Sequence, residues 1–283
     1  MLGCKDLGER FQIFARADEI WRLGCWLGHS DGHQADTATV AHNAGECQLH
    51  SPAWYDQRVS NPLSSTERTK HRRLREQGRA DRSDLFAVLA AGLVAHLGVV
   101  SDGWPMVVPT SYGFDESSIF LHGSVASVSL RADTPICVTI TLADGLVLAR
   151  SVFEHAVNYR SAMIYGYPRI VTEPDEVNAG LRLLSEHMAP GQWDYARQPN
   201  RKELAATRLL ALPLDEASVK IRTGPPDDGD SPDTALGLWA GELPLVSTWQ
   251  QPVPDPALPP YTGVPPHIAQ RAGTRAYTQA KET

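Results

Sequence analysis

The sequence predicts a mainly β protein with a few helices (α+β class), folded into a small antiparallel barrel or sandwich. Between Leu93 and Val171, short apolar runs rich in Val, Ile, Leu and Thr alternate with Asp-Gly pairs or with Asp and Ser clusters. Asp-Gly supplies the left-handed backbone that a tight hairpin requires. Antiparallel strands joined this tightly must close or pack face to face, because otherwise their edges stay exposed.

The composition narrows the class of partner. The 283-residue chain is 42% hydrophobic, which is enough for a substantial core, and its formal net charge is −7. This charge argues against a nucleic-acid binder that depends on neutralising phosphates. No apolar run approaches the roughly 18 residues that span a bilayer, and the N-terminus lacks a basic region followed by an apolar core. We therefore expect a cytoplasmic protein with no membrane contact and a small-molecule partner.

Residues 1–62 lack the strand alternation of the remainder. We expect them to form a poorly ordered extension that contributes nothing to the fold. Six potential metal ligands occur there at intervals of four, four, nine, five and three residues. Zinc sites usually use two tight ligand pairs on turns, so this spacing predicts no metal site. The six residues are Cys25, His29, His33, His42, Cys47 and His50.

A basic stretch and a helix precede the strands. Residues 68–82 carry seven Lys or Arg side chains, which fits either a solvated lead-in or a contact with phosphate or a partner. A helix is predicted over Ser83–Ala91, with Ser83 as its N-cap. Its apolar stripe faces the first strand.

The connection after the strand IFLHG departs from the hairpin pattern. The sequence SVASVSLRAD predicts that this strand gives way to a short helix near Ser124 and Ser127. The first N–H groups of a helix have no partner within it and suit a phosphate. The sequence therefore predicts an anion site at this turn.

After the meander the patterns predict helices and then further strands. One helix has apolar residues at helical spacing and stops at Pro190, and Asn200 caps a shorter helix. Strands follow in TRLLALPL, ASVKIRTG and LWAGELPLV, and the Pro-rich run from Pro252 to Pro266 is extended. We predict a barrel domain over residues 63–250 and a Pro-rich segment with a loose tail over residues 251–283.

The motifs point to cofactor chemistry. No nucleophile elbow, Walker loop, dinucleotide fingerprint or HExxH motif is present, so any catalysis depends on a cofactor. Five segments follow the basic stretch in this order: GWPMVVPTSY, IFLHGSVAS, LVLARSVFEHAVNYRSAMIYG, EASVKIRTGPP and LWAGELPL. Together they resemble the FMN-binding split-barrel proteins related to pyridoxamine 5'-phosphate oxidase, especially their nitroimidazole-reductase-like branch. The resemblance runs from Glu67 to Pro260. It implies an antiparallel split β-barrel and a homodimer with FMN in a groove between the protomers.

The resemblance also implies which positions contact the flavin. Val108, Pro109 and Thr110 are the contacts on the second strand, and His122, Gly123, Ser124 and Ser127 form the phosphate turn after IFLHG. Ser161 is the polar position that faces the ring, and Trp239 is the tryptophan that reaches the flavin from the other protomer.

Two departures from the family pattern qualify this assignment. The position just after the turn serine, where the family usually has Arg or Lys, is Val128, and we expect Arg131 to substitute. The oxidases follow their tryptophan with an arginine and histidine motif for the substrate phosphate, whereas this chain has ELPL. Vitamin B6 phosphate is therefore not the expected substrate.

Other candidate residues have both a functional and a structural interpretation. Tyr159 fits either a flavin contact or a filler at a dimer seam. Arg160 lies between apolar strand segments and needs an anionic partner. Lys220 and Arg222 alternate onto one face of KIRTG, which fits an anion site or an exposed strand face.

These observations leave three functional hypotheses. The leading one is an FMN-dependent oxidoreductase that acts on a small molecule. A deazaflavin in the same groove is the second. The third is a haem- or flavin-binding sensor or store without turnover, in which His122 or His155 is the axial ligand. Both histidines also fit strand-rim positions satisfied by the backbone.

Overall fold

The structure is a computed structural model that describes residues 62–277. The predicted N-terminal extension, with its six Cys and His side chains, lies outside the described residues apart from Pro62. Within residues 62–277, no three His, Cys, Asp or Glu side chains are grouped so that they could hold a metal ion. No helix in the same range is long and apolar enough to cross a membrane.

Strands and short helices make up this part of the chain. The strands are β1 (Gly78–Arg79), β2 (Ala95–Ser101), β3 (Trp104–Thr110), β4 (Tyr112–Phe114), β5 (Ser118–Ser124), β6 (Ile136–Leu148), β7 (Ala156–Gly166), β8 (Arg169–Ile170), β9 (Thr207–Pro213), β10 (Ala217–Arg222) and β11 (Gly241–Pro244). The α-helices are α1 (Arg82–Ala91), α2 (Pro174–Met188), α3 (Gln192–Tyr195), α4 (Arg201–Ala206) and α5 (Pro266–Ala269). Short 3-10 helices span Arg75–Gln77, Val152–Glu154 and Pro232–Leu236.

Two antiparallel sheets enclose the core. The larger sheet has the strand order β1-β10-β7-β6-β2-β3, and the smaller sheet has the order β4-β5-β9-β8. The long strand β6 pairs with β2 through its first half and with β11 through its second half. The predicted antiparallel split-barrel architecture with flanking helices is confirmed.

The main core lies between the two sheets and includes buried residues of α1. Side chains alternate along each strand, so every second residue contributes to it, including Ile140 of β6 and Leu210 of β9. A second cluster lies on the other face of the smaller sheet, where Phe120 and Leu209 pack with Leu184 of α2. The smaller sheet is therefore buried on both faces, whereas the outer face of the larger sheet carries exposed side chains.

One of the two predicted helix caps is confirmed. The Asn200 side chain accepts hydrogen bonds from two main-chain amides at the start of α4, and the Glu203 side chain accepts one from the Asn200 amide. This is a capping box. The predicted cap at Ser83 was wrong, because α1 begins one residue earlier, at Arg82, with Asp81 in the N-cap position.

Part of the basic stretch is paired within the protein. Arg68 donates to both carboxylate oxygens of Glu216, at 2.9 and 2.7 Å, which holds the pKa of Glu216 below its usual range. Lys70 and Arg72 lie 3.8 and 3.5 Å from the carboxylate of Glu67. These side chains, apart from Glu216, are well exposed, which agrees with a solvated lead-in.

The C-terminal segment folds back on the domain. We expected a loose tail after Pro266, but the amide of Trp249 donates to the Thr274 carbonyl at 2.9 Å and that of Ala276 donates to the Ser247 carbonyl at 2.8 Å. The short helix α5 also contacts the domain, because its His267 ring nitrogen lies 2.9 Å from the Gln192 side-chain oxygen. Residues 278–283 lie outside the described residues.

Strand β6 differs most from its prediction. Ala143-Asp144-Gly145 predicted a hairpin turn, whereas β6 runs without interruption from Ile136 to Leu148. The pairing with β7 shifts by one residue between Ala143 and Gly145, which identifies a β-bulge. The extra residue lets Leu142 and Val147, five positions apart, both be buried. An unbulged strand would place them on opposite faces.

The bulge brings a carboxylate to a buried arginine. Arg160 Nε and Nη2 donate to the two carboxylate oxygens of Asp144 at 2.9 and 2.8 Å, and both side chains are at most 7% exposed. The Tyr277 ring centre lies 5.5 Å from the Arg160 guanidinium, and its hydroxyl donates to the Ala143 carbonyl at 3.2 Å. The anionic partner that the sequence required for Arg160 is therefore Asp144.

Replacing Asp144 by Ala should destabilise the fold by about 3–5 kcal/mol, because it leaves the Arg160 charge buried and unpaired. Urea unfolding measures this. Asp194→Ala is the matched control: its exposed pair with Arg182, at 3.4 Å, should contribute about 0–1 kcal/mol. Adding Arg160→Met to Asp144→Ala should recover part of the loss, since no buried charge remains. Equal effects for the two Asp→Ala variants would contradict the prediction.

Candidate functional site

The turn after β5 is built from small polar residues and contains no helix. The Ser127 amide donates to the Ser124 carbonyl at 2.9 Å, and the Leu130 amide donates to the Ser127 carbonyl at 3.4 Å. Each bond closes a single turn, so the predicted short helix was wrong. The amides of Val128 and Ser129 have no protein acceptor within residues 62–277. Donors for an anion are present, but they come from a turn.

Hydroxyl groups add to these donors. The Ser127 and Ser129 hydroxyl oxygens lie 2.9 Å apart, and the Ser124 hydroxyl accepts from the Ala126 amide at 3.2 Å. A hydroxyl that accepts one hydrogen bond still has its own proton to donate. The turn thus combines unpaired amides with serine hydroxyls, a combination that suits a phosphate.

An open groove of about 460 Å³ lies beside the turn, with two arginines in its lining. Arg131 is exposed, and Arg208 of β9 is half-buried and donates to the Leu130 carbonyl at 3.0 Å. Val128, where the family pattern has a cation, is 52% exposed. The full lining is Arg131, Ala132, Asp133, Ile170 and Arg208.

The predicted flavin contacts on β3 are close in sequence to a strand that pairs with β5. Thr110 ends β3 of the larger sheet, where it pairs with Ala95. Two residues later, Tyr112 of β4 pairs with Leu121 of β5 in the smaller sheet. Val108 and Pro109 precede Thr110, so this end of β3 leads through Ser111 into the partner of the strand that carries the predicted phosphate turn.

His122 faces the α2 side of the smaller sheet. Its cross-strand partner on β9 is Leu209, a member of the cluster under α2. The Nδ1 atom is buried with no hydrogen-bond partner among residues 62–277, and burial lowers the pKa of the ring. The ring is therefore neutral at neutral pH and is left with an unsatisfied nitrogen.

A second group of predicted residues lies on the outer face of the larger sheet. Ser161 on β7 is directly opposite Lys220 on β10 and Thr141 on β6, and Tyr159 lies one alternation further along the same face of β7. Strand β7 is three positions from β3 in the sheet order. At about 4.8 Å per strand the two groups are roughly 14 Å apart. One protomer therefore does not gather all the predicted contacts at one point.

Two predicted cofactor contacts are engaged inside the protein. Arg160 is neutralised by Asp144, as described above. Arg222 is buried, donates to the Asn158 side chain, and donates to the carbonyls of Gly224 and Pro225 at 3.1 and 3.2 Å. These contacts fix the loop after β10, so neither arginine is placed to bind an external anion.

An apolar surface occupies the other end of the same outer face. Leu243 of β11, Leu146 of β6 and Val157 of β7 form one cross-strand row, and they are 57%, 48% and 42% exposed. Trp239, 68% exposed, is two residues before β11. We call these four residues the apolar face. His155 comes directly before β7, two residues before Val157.

His155 is held in one ring orientation. Its Nδ1 lies 3.0 Å from the Ser151 carbonyl oxygen, which can only accept a hydrogen bond. The proton of the neutral ring is therefore on Nδ1, and Nε2 keeps its lone pair. Phe153, two residues earlier, is 89% exposed. The result is an available nitrogen ligand beside an exposed apolar surface.

Comparison with known proteins then assigns the chain to a family. The family model described as pyridoxamine 5'-phosphate oxidase matches residues 81–221. The flavocytochrome Anf3 from Azotobacter vinelandii shares 34% identity with the chain over 75% of this chain and 100% of its own, with a TM-score of 0.70. The chain belongs to the pyridoxamine 5'-phosphate oxidase-like family. The resemblance found in the sequence is confirmed.

A second solved structure shares the same sequence identity with the chain. This protein, the FAD and heme binding protein from Mycobacterium smegmatis, is also 34% identical, over 71% of this chain and 100% of its own, with a TM-score of 0.67. No curated protein matches the chain.

Sequence reasoning missed two residues in this member of the family. Arg208 stands in an otherwise apolar strand sequence, TRLLALPL, and this charge was the available signal. Asp144 was read as part of an Asp-Gly turn, and nothing local distinguishes such a turn from a bulge. Arg208 contacts Leu130, 78 positions away in sequence, and Asp144 pairs with Arg160 on the next strand only because of the bulge.

Proposed function

We propose that this chain is a flavin-binding oxidoreductase that holds the flavin phosphate at the turn after β5. The observation that carries the proposal is the donor set of that turn. The amides of Val128 and Ser129 have no acceptor in the part of the chain that the structure describes, and the hydroxyls of Ser124 and Ser127 and a groove lined by arginine lie with them. A buried dianionic phosphate requires several such donors and a cation, because otherwise its desolvation forbids binding.

The relatives support a flavin and favour FAD over the FMN predicted from the sequence. One 34% identical structure is described as a flavocytochrome and the other as an FAD and heme binding protein. FMN and FAD share the ribityl phosphate, so the same turn serves either. A deazaflavin is the remaining alternative for the same groove.

A bound flavin would supply hydride and electron transfer, chemistry that protein side chains lack. The side chains of this protein would bind and orient it. The turn would hold the phosphate, and Val108, Pro109 and Thr110 would line its path along β3. Ser161 and Lys220 would offer a hydroxyl and an ammonium group on the outer face of the larger sheet. Orientation is the main contribution a protein makes in such reactions.

We propose that a second copy of the chain covers this outer face. Val107 and Tyr165 lie in one row with Gly98 and Cys137 across four adjacent strands, and Val107 is 65% exposed. Two protomers would bring the β3 group of one copy near the Ser161 group of the other, which a single protomer keeps roughly 14 Å apart. A homodimer of this kind would account for the separation of the predicted contacts.

A second candidate function is haem binding alongside the flavin, with His155 as the ligand. The specific observation is the fixed His155 ring, whose free Nε2 borders the apolar face. Histidines that ligate metals typically donate their other N–H to a carbonyl or carboxylate. His122 is less suitable because its half-buried ring lacks this second hydrogen bond. A bound haem would add one-electron chemistry.

The first prediction concerns flavin binding. The full-length chain should bind FMN and FAD, and Ser127→Ala should weaken FMN binding about ten- to 150-fold, because a charge-assisted hydrogen bond is lost. Fluorescence titration measures this. Riboflavin should bind wild type and variant equally, and Ser185→Ala on α2 is the matched control. Absence of flavin binding in wild type would refute the proposal. An unchanged affinity for FMN in Ser127→Ala would place the phosphate elsewhere, with Lys220 next to test.

The second prediction concerns assembly. The wild-type chain should have a dimeric mass by light scattering at micromolar concentration, and Val107→Asp should give monomers, because a charge would be buried at the seam. Val253→Asp, at a position that is 91% exposed in the Pro-rich segment, should remain dimeric. A monomeric wild type in the presence of flavin would contradict the dimer.

The third prediction concerns haem. Protein expressed with iron supplementation should show a Soret band, which His155→Ala should abolish while His122→Ala retains it. Flavin absorbance in the same samples separates the two cofactors. A Soret band that depends on His122, or none in wild type, would refute His155 as the ligand.

A further inference from the structure

The phosphate turn lacks the cation that its family pattern leads one to expect within the turn. The position just after Ser127 is Val128, whose side chain is 52% exposed and cannot carry charge. Arg131, the substitute predicted from the sequence, is exposed to solvent. An exposed cation is strongly screened and loses side-chain entropy on binding, so it contributes little on its own.

Arg208 approaches the same turn from the neighbouring strand. It lies on β9 directly opposite Gly123 of β5, and it lines the groove together with Arg131. Its Nη1 donates to the Leu130 carbonyl at 3.0 Å. A guanidinium has five N–H donors in a fixed fork, so this bond leaves most of them unused.

The surroundings of Arg208 make it an unusual residue for its strand. The next four residues of β9, Leu209 to Leu212, are at most 1% exposed. Arg208 is half-buried and forms no ion pair with a carboxylate in the part of the chain that the structure describes, although Asp133 lines the same groove. A partly buried, unneutralised guanidinium calls for an anion, which here would come from a ligand.

Gly123 is in close contact with the turn. A Cβ atom built there would meet Leu130 Cδ1 at 2.6 Å, so the Leu130 side chain packs directly against the glycine. The Leu130 carbonyl accepts from Arg208, the residue opposite Gly123 on β9. The strand pair and the turn thus hold the guanidinium at the groove in a fixed position.

We propose that Arg208 binds the flavin phosphate and replaces, from β9, the cation missing at Val128. This inference rests on the proposed function and names the residue that selects phosphorylated flavins over riboflavin. Arg131 assists from the exposed side of the groove. A fixed, half-buried arginine should contribute more than an exposed one, because less side-chain entropy is lost and screening is weaker.

The test uses the full-length chain freed of flavin, titrated with FMN and with riboflavin. Arg208→Gln should weaken FMN binding about ten- to 100-fold and leave riboflavin affinity unchanged. Arg208→Lys should show an intermediate loss, because the charge stays but the fork is gone. Arg131→Gln should lose less than Arg208→Gln. Arg73→Gln, the same change at an exposed position of the basic stretch, should bind like wild type.

A rescue experiment separates phosphate binding from a structural role. Adding Val128→Arg to Arg208→Gln should restore much of the FMN affinity, because it returns a cation to the turn without rebuilding the bond to the Leu130 carbonyl. Equal losses for FMN and riboflavin in Arg208→Gln, or no loss for either, would overturn the inference while flavin binding by wild type still stood. Wild type that binds neither flavin would overturn the proposed function and the inference together.

Discussion

The carboxylate of Asp144 meets the guanidinium of Arg160 inside the protein because β6 carries one residue more than its partner strand. Without the bulge, the two ends of β6 would present their apolar side chains to opposite faces. With it, Leu142 and Val147 are both buried, and the strand continues from the β2 half of the larger sheet to the β11 half. Strand β6 can continue through the bulge because Asp144 and Arg160 neutralise each other, since either charge alone would be too costly to bury there.

The continuity of β6 organises the outer face of the larger sheet. Ser161 and Lys220 lie beside the half of β6 that pairs with β2, and the other half contributes to the apolar face, next to His155. The smaller sheet has no such free face, because α2 covers the side that the core does not. The surfaces open to a flat cofactor and to a second copy are therefore on the larger sheet, and the phosphate turn connects the smaller sheet to it.

Most of the fold is predictable from the sequence because the residue patterns that specify its elements are local. Strands such as β5 and β9 are short apolar runs with clear ends, and the Asn200 cap depends on residues three positions apart. The bulge is not readable in this way. Ala143-Asp144-Gly145 has the composition of a turn, and only the register with β7 shows that the strand continues.

The candidate site, like the fold, was only partly predictable from the sequence. The serines of the turn could be predicted from their position after a strand. The helix predicted there does not form, because the turn is held instead by the burial of Leu130 and by the contact of its carbonyl with Arg208. The role of Arg160 could not be read either. A lone arginine in a strand demands an anion, and the sequence does not reveal whether protein or ligand supplies it.

The lid over the buried ion pair comes from the far end of the described chain. Tyr277 donates to the Ala143 carbonyl across 134 positions of sequence. Contacts of such long range are slow to form, because the closure of a large loop precedes any gain from the contact. During synthesis Tyr277 leaves the ribosome after the residues of every strand in both sheets. The Arg160–Asp144 pair therefore gains its aromatic neighbour only after the last strand, β11, has been synthesised.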